Sequence, residues 1–192
     1  KTRLRGLSPQ TPFFRFAAVS TSGYGLLFDR FKLVLDHYVM YNEAKSKYQE
    51  EQPMKDQNCG YCMRGELLDA FGIYICDLSV STLILFKEQS HPGRCIVAYK
   101  DHVSEIVNIS DEERNAFFAD VNRAAKAIHA AFHPDKVNYG AYGDTGCHLH
   151  MHLVPKYKDE FEWGGVFAMN PGKTYLTEEQ YAEMIEKIKA NL

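Results

Sequence analysis

The sequence predicts an α+β fold in which a mainly antiparallel sheet packs against helices. From residue 72 onward, short segments rich in β-branched and aromatic residues recur between turn signals, which is typical of strands. Two capping boxes each open an amphipathic segment that is long enough for a helix. Near residue 150, three histidines stand at every second position, and only a strand places such residues on one face.

Five segments are predicted as strands because their composition favours pleated, half-buried backbone. The tripeptide His91-Pro92-Gly93 marks the turn before the third of them. The predicted strands are Gly72–Leu78, Val80–Phe86, Arg94–Lys100, Val137–Tyr142 and His148–Pro155.

Two long helices are predicted from their start signals. Ser110 and Glu113 form a capping box, and the helix that it opens runs to about Phe132, just before Pro134. The residues predicted for its buried stripe are Phe117, Val121, Ala124, Ile128 and Phe132. A second capping box, Thr177 to Gln180, opens a final helix whose apolar positions are Tyr181, Met184, Ile185 and Ile188.

Residues 1–56 are predicted to form an N-terminal extension of unknown role, and residues 57–192 the catalytic domain. Apolar positions between Leu27 and Tyr38 fit one face of a helix, and the polar residues 42–58 indicate a linker. The basic start faintly resembles a targeting peptide. Because Arg15 interrupts the following apolar run, a cleaved signal is not expected.

The composition excludes several classes of protein. Hydrophobic residues at 45% and charged residues at 24% are ordinary for a soluble globular domain, and the net charge of −3 gives no case for binding nucleic acid. No apolar stretch is long enough to span a bilayer, so no membrane partner is expected. The odd number of five cysteines favours a reducing compartment, and a cytoplasmic location is predicted. We expect Cys76, Cys95 and Cys147 to act as small core residues.

The histidines of the triplet GCHLHMHLVPKY are His148, His150 and His152. On a strand, their imidazoles line one face while Leu149, Met151 and Leu153 occupy the other. Near neutral pH, histidine can be a nucleophile, a general acid or base, or a metal ligand. The plainer alternatives are a polar strand face or an adventitious metal-binding tract.

The pair Cys59 and Cys62 can chelate zinc or cycle between dithiol and disulfide. A redox role favours a thioredoxin-like βαβ frame, which the sequence does not show. Zinc needs two more ligands, and His102 and His148 are the best candidates for a closed, structural Cys2His2 site. The alternative is two reduced cysteines in a turn.

The central histidine, His150, is the candidate nucleophile. With His148 engaged by zinc and His152 bonded to a phosphate oxygen, His150 is free to attack phosphorus and form a phosphoramidate. The preceding turn, Gly143 to Gly146, would let backbone amides approach phosphate oxygens closely. Taken by itself, that turn fits an ordinary hairpin better than a phosphate site.

These residues resemble the histidine triad nucleotide hydrolases and transferases, over about residues 59–170. Beside the two cysteines, the matching segments are Glu88–His102, the helix Ser110–Phe132, Asn138–Asp144 and His148–Pro155. Their order and spacing agree with the zinc-containing members of that family.

The resemblance implies an α+β fold that forms a homodimer, with nucleotidyl transfer from an α-phosphate through His150. It implies catalytic support from His148 and His152, and structural zinc at Cys59, Cys62, His102 and His148. It places Glu88 and Gln89 at the ribose, and Gly143, Asp144 and Thr145 at the phosphates. Asp144 departs from the family, since its negative charge would repel a phosphate.

The leading hypothesis is therefore a hydrolase or transferase that cleaves dinucleoside polyphosphates or adenosine monophosphate derivatives. One rival is a zinc-stabilised nucleotide-binding or interaction module with little catalysis. Another is a redox or metal-handling protein built on Cys59 and Cys62. The role of Trp163, which could cover the substrate, form a dimer contact or pack in the core, is left open.

Overall fold

The computed structural model describes residues 35–40 and 55–192. Residues 35–40 are helical, and the rest of the predicted N-terminal helix and residues 42–54 of the predicted linker lie outside the described residues. Contacts divide the chain into two units, Lys1–Glu51 and Gln52–Leu192. The elements below all belong to the second unit.

A five-stranded sheet forms the centre of this unit. Its strands are β1 (Gly72–Asp77), β2 (Ser81–Phe86), β3 (Cys95–Tyr99), β4 (Lys136–Gly140) and β5 (His150–Lys156). They lie in the order β1-β2-β3-β5-β4, and every neighbouring pair is antiparallel. The predicted α+β class is confirmed, and each predicted strand end lies within two residues of the observed one.

Two long helices begin where their capping boxes predict. They follow two short helices, and the four are α1 (Gly60–Met63), α2 (Glu66–Asp69), α3 (Asp111–Phe132) and α4 (Glu178–Lys189). The side chain of Ser110 accepts from the amide of Glu113 at the start of α3, and Thr177 does the same for Gln180 at α4. Helix α3 ends at His133, which adopts the left-handed conformation with φ 53°.

The helices α3 and α4 cover one face of the sheet, where the larger hydrophobic core lies. On β5 and just before it, Leu149 and Leu153 are buried in this core and Met151 is partly buried against it. The predicted alternation of the triplet segment is therefore confirmed. A buried carboxylate also ties α3 to the β1–β2 turn, because Asp120 accepts from the amides of Ser79 and Val80.

The opposite face of the sheet carries a smaller cluster and the histidines. This cluster consists of Leu68, Ile84, Phe86, Ile96 and Ala98, with Tyr61 and Phe71 packed against it. Ile96 pairs with His152 and Ala98 with His150, so the strand register places both histidines on this face. The candidate site therefore lies on the side of the sheet away from α3.

The cysteine expectation is only partly met. Cys95 is fully buried and Cys76 is half-buried, but Cys147 is exposed because it lies in the surface loop before β5. The expectation of a core role is therefore wrong for Cys147.

Trp163 keeps 40% of its surface exposed, which excludes core packing for that side chain. Among the described helices, none is both long and apolar enough to cross a membrane.

Candidate active site and metal centre

His150 is held in one tautomer by its own strand. Its Nδ1 lies 2.6 Å from the carbonyl oxygen of His148, and a carbonyl can only accept, so Nδ1 carries the proton. The lone pair is therefore on Nε2. Burial lowers the pKa of His150, against the opposing effect of this hydrogen bond. The imidazole is neutral near pH 7, as a nitrogen nucleophile must be.

Tyr61 covers one face of His150. The two rings are stacked, with centroids 4.9 Å apart and an interplanar angle of 25°. The edge of Phe71 packs on Tyr61 at 5.2 Å and fixes the tyrosine from the other side. Sequence analysis missed Tyr61, although its position between Cys59 and Cys62 is the signal that could have identified it.

His152 lies beside the central histidine, with ring centroids 5.2 Å apart in an edge-on arrangement. Its Nδ1 is 3.3 Å from a terminal nitrogen of Arg94. Burial lowers the pKa of His152 to about 3, and the charge of Arg94 contributes to the shift. His152 is therefore a neutral imidazole at physiological pH. Arg94 is the second residue that sequence analysis missed.

His150 and His152 open into a cavity of about 730 Å³, a volume that suits a small organic ligand. Its wall combines aromatic side chains with the loop before β5. The lining residues are Tyr61, Phe71, Phe86, Tyr142, Asp144, Thr145, Gly146, His150, His152, Val166, Phe167, Met169 and Asn170. Gly143 lines an adjoining cavity of about 540 Å³ that also reaches His150. The structure thus brings the predicted phosphate loop to the histidines.

Glu88 and Gln89 are placed differently from the loop residues, because neither lines the cavity. Gln89 is buried and closes the β2–β3 turn, donating to the carbonyl of Arg94 at 3.1 Å and accepting from the amide of Gly93 at 2.8 Å. In Glu88, Oε1 accepts from the amide of Thr174, whereas Oε2 has no hydrogen-bond partner among the described residues. The ribose-binding role of both residues stays a prediction.

The four predicted metal ligands converge in space, with all their ligand atoms within 4.8 Å of one another. The Nδ1 atom of His148 lies 3.4 Å from the Sγ atoms of both Cys59 and Cys62 and 3.4 Å from Nδ1 of His102. The Sγ atom of Cys62 is also 3.3 Å from Nδ1 of His102. The edges of a tetrahedron with zinc-type bond lengths are roughly 3.5 Å, so the donor set fits a tetrahedral metal ion.

A hydrogen bond orients the imidazole of His148, and a carboxylate lies at a longer distance behind that of His102. The Nε2 atom of His148 donates to the carbonyl of Tyr99 at 2.8 Å, which leaves Nδ1 unprotonated and facing the cysteines. His102 places its Nε2 atom 3.7 Å from a carboxylate oxygen of Asp56. Both histidines thus present the nitrogen that a metal needs, and carboxylate or carbonyl support of this kind is usual behind metal-bound histidine.

The segment after β5 is anchored by a network that sequence analysis did not identify. The carboxylate of Glu162 lies 2.8 Å from Nε2 of the buried His91 and accepts from the amide of Ala168. Lys156, also buried, donates to the Glu162 carbonyl at 2.8 Å. These contacts hold Phe167 at the cavity wall.

Comparison with known proteins agrees with this geometry. Residues 72–159 match the family model described as the HIT domain. The chain is 29% identical over 80 residues to the "Protein hit" of Bacillus subtilis (strain 168), which covers 39% of this chain and 55% of that relative. The matched stretch thus spans about half of the relative's length.

Solved structures share the fold. A histidine triad protein from Sinorhizobium meliloti 1021 aligns with a TM-score of 0.63 at 21% identity, covering 68% of this chain and 97% of the other. Another from Marinobacter aquaeolei VT8 gives 0.62 at 22% identity, with 69% and 97% covered. Residues 72–159, which include the strand of alternating histidines, thus match the HIT domain and share the fold of these histidine triad proteins.

Proposed function

We propose that this protein is a nucleotide hydrolase or nucleotidyl transferase that acts on the α-phosphate of its substrate through a covalent nucleotidyl-histidine. The observation that carries the proposal is the tautomer of His150. Its Nδ1 proton is bonded to a carbonyl, so an unprotonated Nε2 remains on a residue that lines the cavity. Chemistry of this kind is what the sequence resemblance implies.

In the first step, the Nε2 lone pair of His150 attacks the α-phosphorus. A P–N bond forms, the P–O bond to the leaving group breaks, and the leaving oxygen takes the electron pair and then a proton from solvent. The ring becomes cationic, and the hydrogen bond from Nδ1 to the His148 carbonyl stabilises that charge. In the second step, water attacks phosphorus, the P–N bond breaks, and Nε2 recovers its lone pair while the water proton passes to solvent.

The cavity supports a nucleotide as the substrate. Tyr61, Phe86 and Phe167 offer aromatic surface to a base, since every base has a π-face on which such rings can stack. His152 and the loop residues Asp144 and Thr145 lie on the same cavity as the nucleophile. A dinucleoside polyphosphate or an adenosine monophosphate derivative combines a base with the α-phosphate that this arrangement requires.

We propose that the cluster of Cys59, Cys62, His102 and His148 binds a structural zinc ion. Two thiolates and two imidazoles favour zinc over hard, oxygen-preferring cations. When bound, such an ion supplies a tetrahedral cross-link rather than a reacting centre. It would join α1, which carries Tyr61, to His148, which precedes the nucleophile by two residues. His148 would therefore be chiefly structural.

A homodimer is proposed as the assembly. Strand β4 lies at one edge of the sheet, where Tyr139 is 53% exposed, and a strand edge can pair with the same strand of a second copy. Light scattering coupled to gel filtration should give twice the chain mass. Elution at the mass of one chain would contradict this proposal.

Turnover tests the enzyme against its main rival. The wild type should release AMP from diadenosine tetraphosphate, the variant His150→Asn should not, and both should bind AMP. His133→Asn is the matched control, because this exposed histidine caps α3, which packs on the face of the sheet away from the site, and asparagine tolerates its positive φ. Binding of AMP without turnover by the wild type would instead support the nucleotide-binding module.

The redox rival makes a different prediction for the cysteine pair. If Cys59 and Cys62 cycle between dithiol and disulfide, thiol reagents should modify them readily in the purified protein. If they bind zinc, both thiols should stay unreactive until a chelator is added, while the exposed Cys147 reacts at once.

A further inference from the structure

Arg94 is a fully buried cation directly behind the cavity wall. Its guanidinium lies 4.2 Å from the ring centroid of Phe86 and 5.3 Å from that of Phe167. No carboxylate of the described residues lies within ion-pair distance of it. Burial without an ion pair is costly for a charged group, so this side chain calls for an explanation beyond packing.

The hydrogen bonds of Arg94 point to one specific partner. One terminal nitrogen donates to the carbonyl of Ala168 at 3.4 Å, and the other lies 3.3 Å from both the sulfur of Met169 and Nδ1 of His152. Its Nε atom has no partner among the described residues. His152 is therefore the one nitrogen acceptor in this set.

A guanidinium has donors and no acceptor, which decides where the proton of His152 sits. Since Arg94 donates to Nδ1, that atom holds the lone pair and the proton is on Nε2. His150 has the opposite tautomer, with its proton on Nδ1. The two neighbouring rings therefore differ in a useful way: Nε2 of His150 offers a lone pair, and Nε2 of His152 offers a hydrogen-bond donor.

We propose that Arg94 is a positioning residue that fixes His152 as the Nε2–H tautomer, so that His152 donates to an anionic phosphate oxygen while His150 presents its lone pair to phosphorus. The identity of the anion rests on the proposed function. The assignment of the tautomer does not, because it follows from the contact between Arg94 and His152 alone.

The charges around this pair support a fixed direction of donation. Burial lowers the pKa of Arg94 to about 10, and the nearby carboxylates of Glu88 and Glu162 oppose that shift. Arg94 is therefore charged at neutral pH and always donates. The titratable groups that act on His152 are Arg94, directly before β3, and His150 from its own strand, and both disfavour a second positive charge there. A phosphate is the kind of group that balances this unpaired cation.

The strand pattern shows how the sequence places Arg94 at the site. Ile96 and Ala98 pair with His152 and His150 on the histidine face of the sheet. Arg94 directly precedes β3, and its carbonyl still accepts from the amide of Phe86 in β2. Because side chains alternate along extended backbone, Arg94 belongs to the same face. In the sequence, a charged residue directly before an otherwise apolar strand is the feature that could have identified Arg94 as a site residue.

The first measurement uses the wild-type protein and needs no turnover. Long-range ¹H–¹⁵N spectra of the protein labelled with ¹⁵N-histidine distinguish protonated from unprotonated ring nitrogens. The signals of His152 are assigned by their loss in His152→Asn. At pH 7 we expect a protonated Nε2 and an unprotonated Nδ1. A proton on Nδ1, or on both nitrogens, would overturn the proposal.

Variants then test whether Arg94 is the cause. Arg94→Met should give a mixture of His152 tautomers and about tenfold weaker AMP binding, which corresponds to ~1.4 kcal/mol. Arg94→Lys, which retains a group that only donates, should restore the Nε2–H tautomer. Arg64→Met is the matched control, because Arg64 also lies 4.2 Å from an aromatic centroid, that of Tyr74, on the exposed surface.

The outcomes separate this proposal from the proposed function. A folded Arg94→Met protein with a pure Nε2–H tautomer and unchanged AMP affinity would overturn the role of Arg94. If Arg94→Met does not fold, the wild-type tautomer and the Arg94→Lys spectrum decide the question. If the protein shows the expected tautomer but no turnover, this proposal is supported and the hydrolase is refuted. If it turns over substrate with the His152 proton on Nδ1, the hydrolase is supported and this proposal is overturned.

Discussion

The ring of Tyr61 lies stacked on the ring of His150, 4.9 Å away, and Tyr61 stands between the two cysteines of the proposed metal site. Tyr61 is also 5.0 Å from the ring of His148, which belongs to the same cluster. The proposed metal site and the candidate nucleophile therefore share one aromatic contact. A change in the conformation of α1 should alter the surroundings of His150.

Replacing Tyr61 tests the contribution of this aromatic contact. Tyr61→Ala removes a ring that lines the cavity and packs on His150, and we expect AMP to bind about tenfold more weakly. Tyr61→Phe should bind within about twofold of the wild type, because the stacked ring is retained. Calorimetric titration with AMP measures both. Equal affinity in all three proteins would show that Tyr61 does not contribute to the binding surface.

Metal content tests the cluster directly. Purified wild type should hold about one zinc ion per chain, and Cys62→Ser should hold almost none because three ligands rarely retain a structural site. Since the bound ion contributes free energy to folding, a chelator should lower the melting temperature of the wild type. Elemental analysis and thermal denaturation supply the two readouts.

Cys147→Ser is the control for loss of a thiol, as Cys147 is exposed and lies outside the cluster. It should keep both the metal and the melting temperature of the wild type. If Cys62→Ser retains as much zinc as Cys147→Ser, the four residues do not form the site that we propose.

A glycine at the end of β4 makes room for the cavity wall. A Cβ atom at Gly140 would lie 2.6 Å from the ring of the buried Phe167 and 2.5 Å from that of Tyr142. Gly140→Ala should therefore lower the free energy of unfolding by about 1–3 kcal/mol, the usual cost of overpacking. Gly146→Ala, which meets no atom within 4 Å, should change it by less than about 0.5 kcal/mol. Urea titrations that give equal midpoints for the two variants would contradict this account.

Acid should destabilise the protein partly through His152. Its pKa is about 3 in the folded chain and about 6.5 when unfolded, so between these values the unfolded state binds a proton that the folded state does not. The free energy of unfolding therefore falls as the pH falls through this window, by up to ~1.4 kcal/mol per pH unit.

Removing the imidazole should remove this contribution. We expect His152→Asn to show a shallower loss of stability than the wild type between pH 6.5 and pH 4.5, in urea titrations at each pH. The same slope in both proteins would mean that His152 is not held neutral by the fold.

Much of the architecture could be predicted because its signals are local. The capping boxes at Ser110 and Thr177 fix where two helices begin, and the two-residue period of the triplet decides which side chains meet the core. The convergence of the four candidate metal ligands was also within reach, since thiolates and imidazoles in the order of a known family constrain one another strongly.

What escaped prediction depends on contacts between distant segments. Arg94 becomes part of the site only because β3 pairs with β5, and Glu162 matters only because it meets His91 across 71 positions of sequence. Cys147 was expected in the core, but the loop before β5 carries it to the surface. The side chain of Gln89 also closes the β2–β3 turn, a contact that the sequence did not reveal, and its role at the ribose stays a prediction.

The most direct test of the central proposal is a mass spectrum of the intact protein during turnover of diadenosine tetraphosphate, quenched with denaturant at alkaline pH to preserve a P–N bond. The account predicts an adenylyl adduct on the wild type, mapped to His150 by peptide sequencing and absent from His150→Asn. Rapid release of AMP without an adduct, or with an adduct that persists in His150→Asn, would contradict covalent transfer through this histidine.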